Sequence, residues 1–402
     1  MSSIGDFFKK GKPRIFSCGE ERSSSKAARL RNKVMIWTMA AMTAAASVGC
    51  SQSTLSAAFG HALAQTSLHV SGNHVETCKT RSGETLNYQI DGAVKDSVQL
   101  SNIKKIVNAA VATETGESVL KPFFKSNGTI SLLEGESEMN GLYTSSKNAI
   151  ALNAGMLSGS EKQLALMKTV LVHEAAHAKQ CATGMAVTNQ TGAASMIRVC
   201  RAMEADANTH GVFAASEMAE RGDTLAWSAL VQEIPLMAQA FNQAKKNGVS
   251  EAEVAKATML AYYADTDYTG QYDQIYVNSL QKLASKVNGE NVKSQMQKKV
   301  SSQEIASKVC TFKGKCYMGK DGGALLNDAA RSSVSETTYR RLANISAEHA
   351  RQVGKYAGSA VSADKSYRDL YVKAENGSYT KPFSASKILL AQNAKQSGGI
   401  RG

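Results

Sequence analysis

The run of apolar and polar positions divides the chain into a mixed first part and a helical remainder. Between residue 65 and about 120 it predicts a strand at Thr85–Ile90 and a helix over 101–112. Three short β-favouring runs follow: Thr129-Ile130-Ser131-Leu132, Gly141-Leu142-Tyr143 and Ala149-Ile150-Ala151-Leu152-Asn153. Gly, Asn and Ser breaks separate them, and together they predict a short meander. From there the period turns helical. Ser160 with Gln163 makes a capping box, each side chain satisfying an otherwise orphaned N–H of the first turn, and opens a helix over 161–180. Further helices are predicted at 193–221, at 224–246 with a kink at Pro235, and at 250–264, 272–287 and 335–358. Past 358 no period is strong, and the Gly-rich end reads as a flexible tail. The pattern as a whole predicts a predominantly helical α+β chain. In it a small antiparallel sheet packs on the 161–180 helix and on the helix that follows.

The 161–180 helix carries unusual cargo. From Leu164 to Ala178 it is apolar except for Lys168, Thr169 and the set His173-Glu174-Ala175-Ala176-His177. Residues four apart lie one turn apart on one helix face, so both imidazoles can reach one ion. Zinc accepts two such nitrogens and, in catalytic sites, keeps a position open for water. Glu174 is placed to reach that water rather than the metal. A metal lowers the water's pKa and a carboxylate takes its proton, which is the work of a general base. The bland alternative is an ordinary helix with two surface histidines. With seven histidines in 402 residues, a chance match is of order one in a few hundred. Three ionisable side chains on a largely buried helix are also costly unless paired or bound to a metal. Lys179 stands where an apolar residue is usual, as at the solvent end of the helix.

A third ligand must come from elsewhere. The next predicted helix reads Arg201-Ala202-Met203-Glu204-Ala205-Asp206-Ala207-Asn208-Thr209-His210, and Glu204 lies 27 residues after His177. That leaves room for the chain to turn back antiparallel. The pair of motifs, His173 to His177 and then Glu204-Ala205-Asp206-Ala207, resembles the gluzincin metallopeptidases over about residues 140–215. The Glu-Ala-Asp-Ala form is most similar to a bacterial metallopeptidase family labelled domain of unknown function 6782. The resemblance implies a zincin-like core, bound zinc, Glu204 as third ligand, and Asp206 or Asn208 as a partner behind the ligands. It also implies that the strand before the motif helix pairs with an extended substrate backbone. In better-studied gluzincins an acid or amide often follows the ligand by four. Here that place is Asn208 while Asp206 follows by two, so Asp206 and His210 stay open as ligands. A donor for the transition-state oxyanion is also required, and Tyr143, His210, Tyr262, Tyr263 and Tyr268 are the candidates. His61, His69, His74 and His349 have no ligand spacing and read as ordinary surface or processing-region histidines.

Charge adds an address. Residues 1–33 and 351–402 each carry nine Lys/Arg against three acids, and together supply nearly all of the net charge of +13. A nucleic-acid-binding domain places its basic stripe on the folded body, so no nucleic-acid partner is expected. A basic flank before the apolar run that begins at Val34 instead marks a segment held on the cytoplasmic side of a membrane. Residues 34–64 then read as a signal peptide or anchor, with Ala62-Leu63-Ala64 or Ser47-Val48-Gly49-Cys50 as processing points. Cys181 with Cys200, and Cys310 with Cys316, are candidate disulfide pairs, as an oxidising compartment would allow. The organisation expected is a basic segment 1–33, the export or anchor segment 34–64, a metallopeptidase domain 65–265, a helical region 266–357 and a basic tail 358–402. The function expected is hydrolysis of protein or peptide substrates in a bacterial cell envelope. Its rivals are a zinc-stabilised interaction protein without turnover and a tethered helical protein without metal.

Overall fold

The computed structural model describes residues 72–133, 139–374 and 376–380. The basic segment 1–33, the apolar run 34–64 and the last part of the tail lie outside the described residues. Among the described residues no helix is long and apolar enough to cross a membrane.

The chain opens with a hairpin, β1 (His74–Lys79) and β2 (Thr85–Ile90). Two helices follow, α1 (Ser97–Val111) and α2 (Glu114–Lys125). The first starts four residues earlier than the apolar period suggests, because the Asp96 carboxylate accepts from the Gln99 N–H and caps the helix there. The second has no counterpart in the sequence-based expectation, and it holds Gly116 and Pro122, two poor helix residues. Tertiary packing overrides them: Val119, Leu120, Phe123 and Phe124 form a buried stripe. Gly116 is required at the α1–α2 corner, where a Cβ would stand 2.0 Å from the Ala110 carbonyl oxygen.

The three predicted strands form as β3 (Thr129–Leu133), β4 (Gly141–Thr144) and β5 (Ala149–Asn153). They are not a meander, and the sheet is mixed rather than antiparallel. Its order is β1-β2-β3-β5-β4, with β3 parallel to both β2 and β5, and only the outer pairs antiparallel. The reason lies in the run Ala149 to Leu152. Its continuous apolar character suits a strand buried on both faces, so β5 takes an inner place beside β3 and pushes β4 to the edge. The α1–α2 connection is the long crossover that a parallel β2–β3 pair needs.

Next come α3 (Glu161–Ala182), opened by the expected Ser160/Gln163 capping box, and α4 (Ala193–Glu220). The predicted helix over 224–246 is two helices, α5 (Thr224–Glu233) and α6 (Pro235–Lys246). Proline drives the residue before it out of the helical region, and Ile234 sits at φ −130°, ψ 61°, so the kink is a full break. Helices α7 (Glu251–Tyr262) and α8 (Thr266–Ser285) follow, then the short α9 (Ser302–Lys308) and a small hairpin, β6 (Thr311–Phe312) with β7 (Lys315–Cys316). The chain ends with β8 (Ser333–Ser335), α10 (Glu336–Ala357), β9 (Tyr371–Lys373) and β10 (Tyr379–Thr380), the strands forming a second sheet.

One dominant apolar core contains residues from Cys78 to Val372, with α3 and α4 running through it. The start of α4 depends on distant residues. Its N-cap, Gly192, has no side chain to offer, so Asp364 Oδ2 accepts from Ala193 N–H at 2.7 Å and Ser366 Oγ from Ala194 N–H at 3.1 Å. His349, expected on the surface, is fully buried and holds that loop, its Nδ1 accepting from Asp364 N–H at 2.9 Å.

Neither candidate disulfide forms: Cys78, Cys181, Cys200, Cys310 and Cys316 are free thiols. Cys181 is near enough to Tyr143 to act on its phenol, whereas Cys200 feels Glu204 and Asp273. In the β6–β7 ladder Cys316 pairs with Thr311, so Cys310 falls on the other face, buried while Cys316 is exposed.

Candidate metal centre

His173 and His177 project from the middle of α3 and Glu204 from the facing helix α4. Ligand atoms of all three lie within 4.8 Å of one another, and all three side chains are fully buried. The two imidazoles meet edge-on with Nε2 atoms 3.1 Å apart, and each Nε2 is 3.5 Å from a Glu204 oxygen. Burial holds the His173 and His177 pKa values down, that of His177 to about 4, and drives that of Glu204 well up, with Glu174 adding to the rise. No hydrogen bond of ordinary geometry reaches either Glu204 oxygen. Two neutral imidazoles and a carboxylate, sealed from water and converging on one point, fit a divalent cation and leave a buried carboxylate costly without one. The cluster could thus bind a metal.

Glu174, next to His173, is equally buried and turns to the sheet. The Tyr143 N–H of β4 donates to its Oε2 at 2.9 Å. Gly141, two residues earlier, lets the carboxylate lie against the strand, since a Cβ there would come within 2.5 Å of Val170 Cγ1 and 3.0 Å of Glu174 Cγ. Asn153 N–H donates to Asn140 O across the β4–β5 ladder, which sets its phase. In that phase Gly141 and Tyr143 direct their backbone groups away from β5, to the outer edge of the sheet. Glu174 therefore stands at the outer edge of the last strand.

The alternative ligands lie elsewhere. Asp206 Oδ2 accepts from Gln180 Nε2 at 2.8 Å and Oδ1 from the Tyr317 hydroxyl at 2.7 Å. His210 packs on Phe312 with Nδ1 2.9 Å from the Asp206 carbonyl oxygen and Nε2 3.3 Å from Lys179 Nζ. Lys179 is no solvent-end residue either. It is largely buried and donates to Thr311 O at 2.5 Å. Asn208 Nδ2 donates to the Glu204 carbonyl oxygen at 2.9 Å, and its side chain bears on the His173 ring.

Of the oxyanion candidates, Tyr143 turns its hydroxyl to Asn148 Oδ1 at 3.3 Å and supplies only its backbone N–H. Tyr263 has Cys310 and Arg201 as neighbours rather than Glu204. Tyr262 and Tyr268 do line the chamber, joined by Tyr272 and Tyr276, which the sequence reading missed. All four phenols are pushed up first by burial and then by the Glu204 charge. Their hydroxyls are buried without a hydrogen bond of ordinary geometry. The missed signal was legible: Tyr268, Tyr272 and Tyr276 recur every fourth residue, one helix face, beginning where the helix was expected to be loop.

Comparison with curated proteins and with solved structures yields no match. A family profile does match, over residues 81–318, more than half of the chain, and takes in both helices of the His-His-Glu cluster and the tyrosine wall. The chain belongs to the family described as "Putative metallopeptidase family (DUF6782)".

Proposed function

We propose that this chain is a zinc-dependent peptidase in which His173, His177 and Glu204 hold the ion and Glu174 is the general base. The observation that carries the reading is the position of Glu174. It lies beside a convergent His-His-Glu cluster and also at the outer edge of β4, on the Tyr143 N–H. A protein or peptide substrate in extended form pairs with that edge, which brings one of its peptide bonds to both groups. Zinc, when bound, supplies Lewis acidity, polarising a carbonyl and lowering the pKa of a water. Glu174 accepts the proton at Oε1 or Oε2 and returns it to the leaving amine, while the Tyr143 N–H keeps the carboxylate oriented. Phenols of the tyrosine wall are neutral donors for the developing oxyanion. We further propose that residues 34–64 export or anchor the catalytic part, so that the substrate belongs to the cell envelope.

A second reading is favoured by one observation: all four side chains are fully buried, as in a closed structural zinc site. One experiment separates the two. Zinc content and hydrolysis of a peptide library are measured for wild type, His177→Ala and Glu174→Gln. The proposal expects stoichiometric zinc and turnover in wild type, neither in His177→Ala, and zinc without turnover in Glu174→Gln. Zinc in wild type with no cleavage of any substrate selects the structural site, and absence of zinc from wild type removes both.

A further inference from the structure

Behind His177 the buried groups form a chain whose polarity can be read without assumption. Gln180 lies one turn after His177 on α3, and its Nε2 is 3.0 Å from the Met203 carbonyl oxygen on α4. A backbone carbonyl only accepts, so the group facing it must be the amide NH2. The same Nε2 donates to Asp206 Oδ2 at 2.8 Å, and the other Asp206 oxygen takes the Tyr317 hydroxyl. These contacts fix which way the Gln180 amide points. Its Oε1, an acceptor, is then the atom 2.8 Å from His177 Nδ1. An acceptor there requires a donor on the ring, so His177 carries its proton on Nδ1 and presents a lone pair at Nε2.

Resting on the zinc-site reading above, we propose that Gln180 is a positioning residue: clamped by Met203 O and Asp206, it holds His177 in the Nδ1–H tautomer before any metal arrives. A histidine ligand usually gives its outer N–H to a carboxylate, a backbone carbonyl or water. This chain interposes a neutral carboxamide and keeps the carboxylate one bond further out. Asp206, open in the sequence as a ligand, therefore acts at one remove. Tyr317, which follows the β6–β7 hairpin, ties that hairpin to the same chain of bonds. Every member of it is buried, Gln180 at 1% exposure and Asp206 and His177 at 0%, so no water competes for these contacts.

The test begins on the metal-free protein. Nitrogen-15 NMR of histidine-labelled wild type, with the His177 signals assigned by loss in His177→Ala, reports the tautomer directly. The expected result is Nδ1–H at His177 in wild type. In Gln180→Met, which keeps the volume and removes the acceptor, a mixture of tautomers is expected. Competition with a chelator then gives zinc affinity, expected to fall by about 10–100-fold in Gln180→Met. A wild-type His177 protonated on Nε2 overturns the inference, whether or not Gln180→Met folds. So does Gln180→Met binding zinc as tightly as wild type. A wild type that shows Nδ1–H yet binds no zinc removes the peptidase reading and leaves the Gln180 inference standing.

Discussion

Two buried polar clusters sit one turn apart on α4, and they are built on opposite principles. Around Arg201 every nitrogen is engaged. Nε and Nη2 reach the two Asp273 oxygens at 2.8 and 2.5 Å, and Nη1 reaches the carbonyl oxygens of Arg331 and Ser333 at 3.0 and 2.8 Å. That fork ties α4 to α8 and to the start of the second sheet. Around Glu204 the count does not close. Its oxygens stand 3.5 Å from two imidazoles held neutral by burial, and four phenols nearby lack ordinary hydrogen bonds. A buried polar cluster satisfied within the protein is architecture, whereas an equally buried one left unsatisfied by the chain is a place for something else. The two clusters also meet on α8, where Asp273, held by the Arg201 fork, stands beside Tyr272 and near Tyr276, whose phenols feel the Glu204 charge.

Five substitutions break or sharpen the contrast. The largest effect belongs to the unsatisfied side. Glu174→Gln should lower peptide hydrolysis by about 10²–10⁴-fold with zinc retained, since a base is lost and no ligand is. Steady-state rates and metal analysis on the same sample check it. On the satisfied side, Arg201→Ala strands Asp273 in the core and should cost about 3–5 kcal/mol in denaturant unfolding. Glu204→Gln, one turn away, should leave metal-free stability within about 1 kcal/mol of wild type, because burial already favours the neutral carboxyl and the amide is its neutral isostere. A comparable loss in both would erase the distinction. Gly141→Ala forces a methyl between Val170 and Glu174 and should cost about 1–3 kcal/mol. It should also reduce turnover at unchanged zinc content, and full turnover would show that the strand does not position the base. A modest effect is expected at the rim of the satisfied region. Asp364→Ala uncaps α4 and should cost about 1 kcal/mol, read as a drop in melting temperature.

The pairing of the motif histidines was legible locally because helix geometry is local. His173 and His177 share a face of α3 whatever surrounds them, and the Ser160/Gln163 box announces where that helix begins. Strands β2 to β5 and most of the longer helices were legible from their local periods, whereas β1, α2, α9 and the short strands past residue 310 were not. The 27-residue spacing made Glu204 reachable, but not chosen over Asp206 or His210. That choice came with the packing of α3 on α4, which turns Glu204 to the imidazoles, Asp206 to Gln180 and His210 to Lys179. Strand order, and with it the place of Glu174 at the edge of β4, also depended on which strand could be buried on both faces. The tyrosine wall, the Arg201 fork and the Asp364 cap join residues 58 to 171 positions apart. Sequence alone determined which side chains could do chemistry and which element carries each. Tertiary structure decided which of them meet, because contacts between distant segments are selected by how the whole core fills and not by any local period.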